Sequence, residues 1–457
     1  MRLEEIIQML QRNLVFALSA TLIICLIVFI LYRFIYLKKF ASDKRFKGKQ
    51  VIVSVLFILY IVSVCALTLM NRGANYEGSV NLSLFSSYRE AWYDFSLRAW
   101  QYIYFNIAMF VPLGILLPLL FKRFSSLGWM LLSAVLFTGL IESVQYITGV
   151  GIFELDDLFN NILGALIGFG LVKAFILKRW SLRVLSLMPL LLVIGLSVGM
   201  FTYYEQKEFG NLAIVPTVKV NMEDAKVSTT ITFNDEQPMA TVYKAPSLTK
   251  DEAQQKAYDI FKKINVDTSS IEIIDYQNEA NYRYHGEPSY FIWLYFLDGS
   301  YEITDFSSFD VEPEDTDEQI LTLDLQEMGI TIPETAQFER TDVGRYEWKI
   351  NQFETDNQLI DGTLNVAYYQ DKTIKSVVNK IVAYEKVREI KLKSEQQAYN
   401  ELLVGKFKVY DKNIKEMQIQ QVNLAYELDS KGFYQPIYVF SGTINGEKSV
   451  VYIPGIE

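Results

Sequence analysis

The chain has 457 residues, 51% of them hydrophobic, with 43 Lys and Arg against 53 Asp and Glu, for a formal net charge of −10. That length allows about two to four domains. The acidic surplus excludes a general nucleic-acid binder, which needs a basic face.

The charge is divided unevenly. Through Tyr203 there are 18 basic and 10 acidic residues, a net of +8, and the remainder holds 25 and 43, a net of −18. A basic, apolar part over 1–203 and an acidic part over 204–457 are two different physical objects. Both cysteines, Cys25 and Cys65, lie in apolar segments, so the second part has no disulfide framework to build on. Glu4 and Glu5 precede a first apolar run long enough to span a bilayer, which reads as an anchor rather than a cleavable signal.

In chain order, apolar runs predict about six transmembrane helices, near 14–36, 51–70, 103–121, 127–148, 157–177 and 184–203. Lys38, Lys39, Lys44, Arg45, Lys47 and Lys49 crowd the first loop, Lys122 and Arg123 the third, and Lys178, Arg179 and Arg183 the fifth. These alternate loops are expected in the cytoplasm, which puts both termini outside. The second loop is then external, and its Trp92, Tyr93, Trp100, Tyr102 and Tyr104 suit a belt at headgroup level.

This orientation gathers polar side chains at one outer-leaflet depth. Asn106 opens the third span, Glu142 and Gln145 share a face of the fourth, and Asp156, Asp157, Asn160 and Asn161 begin the fifth. Each also has a purely structural reading. Asp156 can cap its own helix. Asn160 and Asn161 can bond between helices. Pro112 can kink the third span, with Asn106 or Thr138 satisfying the freed backbone. Gly164 and Gly168 form a small-xxx-small pattern that permits close packing. Glu142 is hardest to explain by packing, because it lies about 9 Å below its helix end at 1.5 Å per residue.

Asn81-Leu-Ser-Leu-Phe85, Asn106 with Phe110-Val-Pro-Leu-Gly114, Glu142-x-x-Gln145, and Asp156-Asp157 with Asn161-x-x-Gly164 and Gly168 together resemble the VanZ-like family of bacterial membrane proteins. The resemblance covers residues 50–177. Pro112, Gly114, Gly164 and Gly168 are its structural motif residues. Asn81, Asn106, Glu142, Gln145, Asp156, Asp157 and Asn161 form the polar cluster expected to face a ligand or lipid. One departure is Ile152, where the family usually has a basic residue, so that Arg89 or Arg98 is the available substitute. The family's namesake lowers susceptibility to the lipoglycopeptide teicoplanin. The resemblance therefore implies a multi-pass cell-membrane protein of the envelope, linked to antibiotic resistance, with a membrane lipid or lipoglycopeptide as its partner. It transfers no catalytic role and no cofactor.

Residues 204–457 read as an α+β extracytoplasmic domain. Alternation predicts strands at Ile271–Tyr276, Tyr290–Leu297, Gln418–Tyr426 and Pro436–Phe440. Thr249 with Glu252, and Ser394 with Gln397, have capping-box spacing and open two helices. Two lobes are expected, at 240–310 and 390–455, with 314–385 bridging them. The second lobe resembles PepSY-like domains and other extracytoplasmic modules of Gram-positive two-component accessory proteins. His285 is the single histidine of the chain, which argues against a histidine triad or a histidine-rich metal site; it reads as a polar strand end. The acidic run Glu312–Glu318 lacks the spacing and glycine of a calcium loop and reads as a solvated helix start.

Three functions remain open on the residues alone. The first is a non-enzymatic envelope protein whose outer polar cluster engages a lipid or lipoglycopeptide. The second is an envelope-lipid enzyme or transporter using Glu142 as proton acceptor and Asp156 and Asp157 as cation ligands. The third is a membrane sensor whose residues 204–457 bind an envelope protein. No catalytic constellation or resident metal site is identified.

Overall fold

The computed structural model describes residues 3–31, 48–70, 79–409 and 413–456. The basic loop residues Lys38, Lys39, Lys44, Arg45 and Lys47, and positions 32–36 of the first expected span, lie outside the described residues. The chain divides into two units, Met1–Glu208 and Phe209–Glu457.

The first unit is helical. Its long helices are α1 (Leu3–Leu31), α2 (Gly48–Leu69), α4 (Leu97–Leu120), α5 (Leu127–Thr148), α6 (Leu155–Ile176) and α8 (Met188–Gln206). Five of these, α2, α4, α5, α6 and α8, are long and apolar enough to cross a membrane, and α1 carries a shorter apolar stretch at Ala17–Ile30. Short α3 (Ser86–Tyr93) and α7 (Trp180–Ser186) lie between them. Two-residue strands β1 (Val80–Asn81) and β2 (Phe153–Glu154) pair in parallel, bringing the loop before α3 to the start of α6.

The third span begins at Leu97, six residues before the sequence expectation, because Ser96 caps it by accepting from the Ala99 N–H. Pro112 and Pro118 both lie inside this helix.

Helices α4 and α6 meet backbone to backbone. A Cβ on Gly114 would stand 1.9 Å from the Ala165 carbonyl oxygen, one on Gly164 2.0 Å from that of Ile107, and one on Gly168 2.0 Å from that of Val111. Only glycine permits this approach, so the small-xxx-small motif is a packing seam. Phe110, Leu113, Met130, Ala134, Ile141 and Ala165 fill one core beside it. Trp100, Ile103, Ile107 and Ile167 form a second.

The second unit is α+β. Its fourteen strands join in one sheet, and the principal path runs β3 (Lys226–Thr229), β14 (Glu416–Leu428), β15 (Phe433–Ile444), β4 (Met239–Lys244), β13 (Val382–Lys391), β11 (Gln358–Tyr368), β12 (Ile374–Asn379), β8 (Tyr301–Asp305), β7 (Tyr290–Tyr295), β6 (Glu279–Tyr284), β5 (Glu272–Asp275). Strand β10 (Arg345–Glu354) pairs with β11 and β9 (Gln337–Asp342), and β16 (Glu447–Pro454) pairs with β15. The β3–β14 pairing is parallel.

Helices α9 (Lys250–Lys263) and α10 (Glu318–Glu327) contribute Ala253, Ala257, Phe261, Leu321 and Leu325 to one large core, against Ile292, Leu294, Trp348 and Val377. Helix α11 (Glu395–Leu403) contributes Ala398 and Leu402 to another, with Phe407, Met417, Phe440 and Ile453. Both capping boxes are formed, at Thr249 with Glu252 and at Ser394 with Gln397.

The segment 314–385 does more than link the two expected lobes: β11 and β12 stand between β13 and β8 in the sheet, and Leu359 and Tyr384 pack with Tyr243 and Tyr434. It supplies α10 and β9 to β12, and hence Trp348, Leu364 and Val366, to the first core. Its acidic start folds onto its own hairpin: Asp315 accepts from Gly344 N–H at 2.9 Å and pairs with Arg340 at 2.7 Å, and Asp317 is the N-cap residue of α10. His285 directly follows β6 and contacts exposed Glu272 at 2.8 Å.

Candidate functional site

The expected polar residues meet where α4, α5 and α6 approach the β1–β2 bridge. Each hydrogen bond links separate pieces of chain. Asn106 on α4 donates through Nδ2 to Asp157 Oδ1 on α6 at 2.6 Å. Asn161, one helical turn further along α6, donates to Thr138 Oγ1 on α5 at 2.8 Å. Gln145 on α5 donates to the Thr68 carbonyl at the end of α2 at 2.9 Å. Glu142 on α5 is 2% exposed and accepts from the Glu154 N–H at 3.4 Å. Asn106 and Thr138 thus each take part in a bond between helices.

Asp156 departs from the expected role. The N-cap residue of α6 is Glu154, with no side-chain cap bond. The Asp156 carboxylate, 1% exposed, instead crosses to the start of α3. It accepts from the Phe85 and Ser87 N–H groups, from Ser87 Oγ at 2.6 Å and from Ser86 Oγ at 3.2 Å. Four donors fill both oxygens, so the charge is held by the N-terminal end of a neighbouring helix. Phe85, with φ 64°, makes the left-handed turn that aims those N–H groups.

Asn81 completes the latch. Its Nδ2 donates to Ser86 Oγ at 2.9 Å, and its Oδ1 accepts from the Ser83 N–H at 3.2 Å. Tyr88 of α3 donates to Asn160 Oδ1 of α6. The seven expected residues thus separate into two groups. Asn81 and Asp156 dock α3 on α6. Asn106, Glu142, Gln145, Asp157 and Asn161 tie α2, α4, α5 and α6 together at one level. Pro112 and the three glycines lie in the α4–α6 pair beneath, as support.

Ile152 leaves no basic side chain just before β2, and each of the substitutes makes a bond within its own stretch of chain. Arg89 donates to the Leu84 carbonyl at 3.0 Å, and Arg98 to Tyr102 Oη at 3.3 Å. Ser86, Ser87, Tyr88, Thr68 and Asn160 join the network without having been singled out as site residues. Ser86 and Ser87 directly follow the Asn81–Phe85 motif, which is the one sequence cue that pointed to them. Among the described residues, no group of three or more His, Cys, Asp or Glu is placed to hold a metal ion.

A bundle of apolar helices that buries two carboxylates and several amides, followed by an α+β unit, defines a polytopic membrane protein with an appended domain. Residues 57–178 match the VanZ/LLP1 family model. The first unit is therefore a VanZ-like membrane domain, and the second is an addition to it. No curated protein matches the chain. Among solved structures, the Bacillus megaterium YpeB C-terminal domain is similar over 46% of this chain and 94% of its own, at 12% identity and a TM-score of 0.20. An uncharacterized protein from Eubacterium rectale is similar over 50% of this chain and 87% of its own, at 10% identity and a TM-score of 0.22.

Proposed function

We propose that this protein lowers the susceptibility of its cell to lipoglycopeptide antibiotics of the teicoplanin type, through the polar level formed by α4, α5 and α6 at the outer leaflet. The carrying observation is Glu142, a carboxylate buried to 2% exposure in an apolar bundle and aimed at the β1–β2 bridge. A buried acid at that depth is costly in a membrane and is retained for function by default. The Asn106–Asp157 pair beside it supplies further polar groups. The partner in this reading is a lipid headgroup or the lipoglycopeptide, met at the membrane surface. In this reading the basic loops are cytoplasmic, both termini lie outside and residues 204–457 are extracytoplasmic. Asp156 serves as an anchor for α3 rather than as a cation ligand, since α3 donors surround its carboxylate.

The test is expression in a susceptible host lacking the gene, with teicoplanin and vancomycin compared. Raised tolerance to teicoplanin, with little change for vancomycin, supports the reading. Unchanged tolerance to both contradicts it.

A further inference from the structure

We infer that the sheet of the second unit carries a glycan-binding face, on the side of β5 to β8 turned away from α9 and α10. The strands alternate. Ala280, Tyr282, Ile292 and Leu294 point into the core beneath the helices. Their neighbours point the other way and align across the strands: Ile274, Asn281, Trp293 and Glu302 in one row, Glu272, Arg283, Phe291 and Thr304 in the next.

The outer face carries a strip of rings. Tyr276 lies 5.6 Å from Trp293 with their planes 23° apart. Phe291 meets Phe306 at 4.5 Å, and Phe306 stacks on Phe309, which is 83% exposed. Phe291, Trp293 and Tyr295 recur at every second residue of β7, about 7 Å apart, the scale of one pyranose and its linkage.

Asn281 is the second, independent observation. It is fully buried beneath this strip, its Oδ1 accepts from Arg283 Nε at 3.2 Å, and its Nδ2 has no hydrogen-bond partner. Arg283 also lies over the Phe291 ring at 4.7 Å. A ligand hydroxyl that draws the guanidinium aside opens the floor and gives the idle amide donor an acceptor.

The charges select a neutral occupant. Glu302 is matched by Tyr295 Oη at 3.1 Å and Lys380 at 3.8 Å, and Glu272 shares a hydrogen bond of 2.8 Å with the His285 ring. This face has neither a row of cations for a polyanion nor a deep apolar cleft for a helix. Flat rings bordered by planar amide, guanidinium and carboxylate groups fit the apolar C–H faces and the hydroxyls of a β-linked pyranose oligosaccharide.

The test is calorimetric titration of the full-length protein, in a detergent without a sugar headgroup, with chitotetraose and with cellotetraose. Saturable binding is expected for at least one, weakened about tenfold by Trp293→Ala and by Tyr276→Ala. Trp180→Ala, in the other unit, should leave it unchanged. The thermal transition serves as the folding check; Phe309→Ala, at an exposed position, replaces any variant that fails it. Three results would overturn the inference: no binding of either saccharide at about 10 mM, binding that the variants leave intact, or loss of a homodimer in Trp293→Ala without saccharide binding by the parent.

Discussion

Asp156 and Glu142 are both buried acids within one short stretch of bundle, yet their surroundings assign them different work. Asp156 is held by four donors at the start of α3, from Phe85, Ser86 and Ser87, whereas Glu142 accepts from the Glu154 amide of β2. Asp156→Ala strands the donors at the start of α3, at a cost of about 1–3 kcal/mol. Faster proteolytic cleavage near Ser86 and a lower membrane level are expected; wild-type values for both would show that the latch is not needed. Asp156 as an acid near a helix start was legible in the sequence. Its partner was not, because an N-cap on its own helix and a cap on a helix 70 residues earlier need the same residue type. Gln145 likewise reads as a polar face residue, and only the fold shows that it reaches the Thr68 carbonyl.

At the level of elements, the α4–α6 seam is set by glycine. Gly164→Ala forces a methyl group to 2.0 Å from the Ile107 carbonyl oxygen, while Gly139→Ala meets nothing within 4 Å. The first is expected to destabilise by about 1–3 kcal/mol, read as a lower melting temperature in detergent, and the second to be neutral. Equal behaviour of the two would remove the seam from the account. This pattern was readable from spacing alone, as were the capping boxes of α9 and α11, because both are local rules. The segment 314–385 was not, since its local hairpins join the rest of the sheet through β8, far earlier in sequence, and its alternation is broken by a bulge between Ile350 and Phe353.

Helix α11 also carries a pH response. Burial pushes the Glu401 carboxyl up, but hydrogen bonds from Lys406 and Lys393, both at 2.9 Å, outweigh it and leave the group below its usual 4.5. A carboxyl lowered by folding adds stability above its unfolded pKa, and that stability is lost as pH falls through the folded value. Water screens the partly open pair, so the contribution is under about 1 kcal/mol. The wild type should lose more melting temperature than Glu401→Gln between pH 6 and pH 3; parallel curves would contradict this.

For the whole molecule, the charge split reads as two bodies of different character, a VanZ-like membrane domain and an acidic α+β domain. The helical and α+β characters were legible from hydropathy and alternation, while the division falls at Glu208, a few residues past the last apolar run. The orientation rests on the basic loops. A reporter active only in the cytoplasm should be active when fused at Gly48 and silent at the C-terminus; activity at the C-terminus would place the second unit inside and detach it from any envelope role.

The most direct test of the central claim is teicoplanin tolerance in a susceptible host carrying either the wild type or Glu142→Gln, matched for membrane level. The amide keeps the volume and hydrogen-bonding capacity of the acid but not its charge. The account predicts that Glu142→Gln reaches the wild-type level in the membrane and confers no tolerance. Tolerance equal to the wild type would show that the buried carboxylate is scaffolding, and the polar level would lose its claim to be the site.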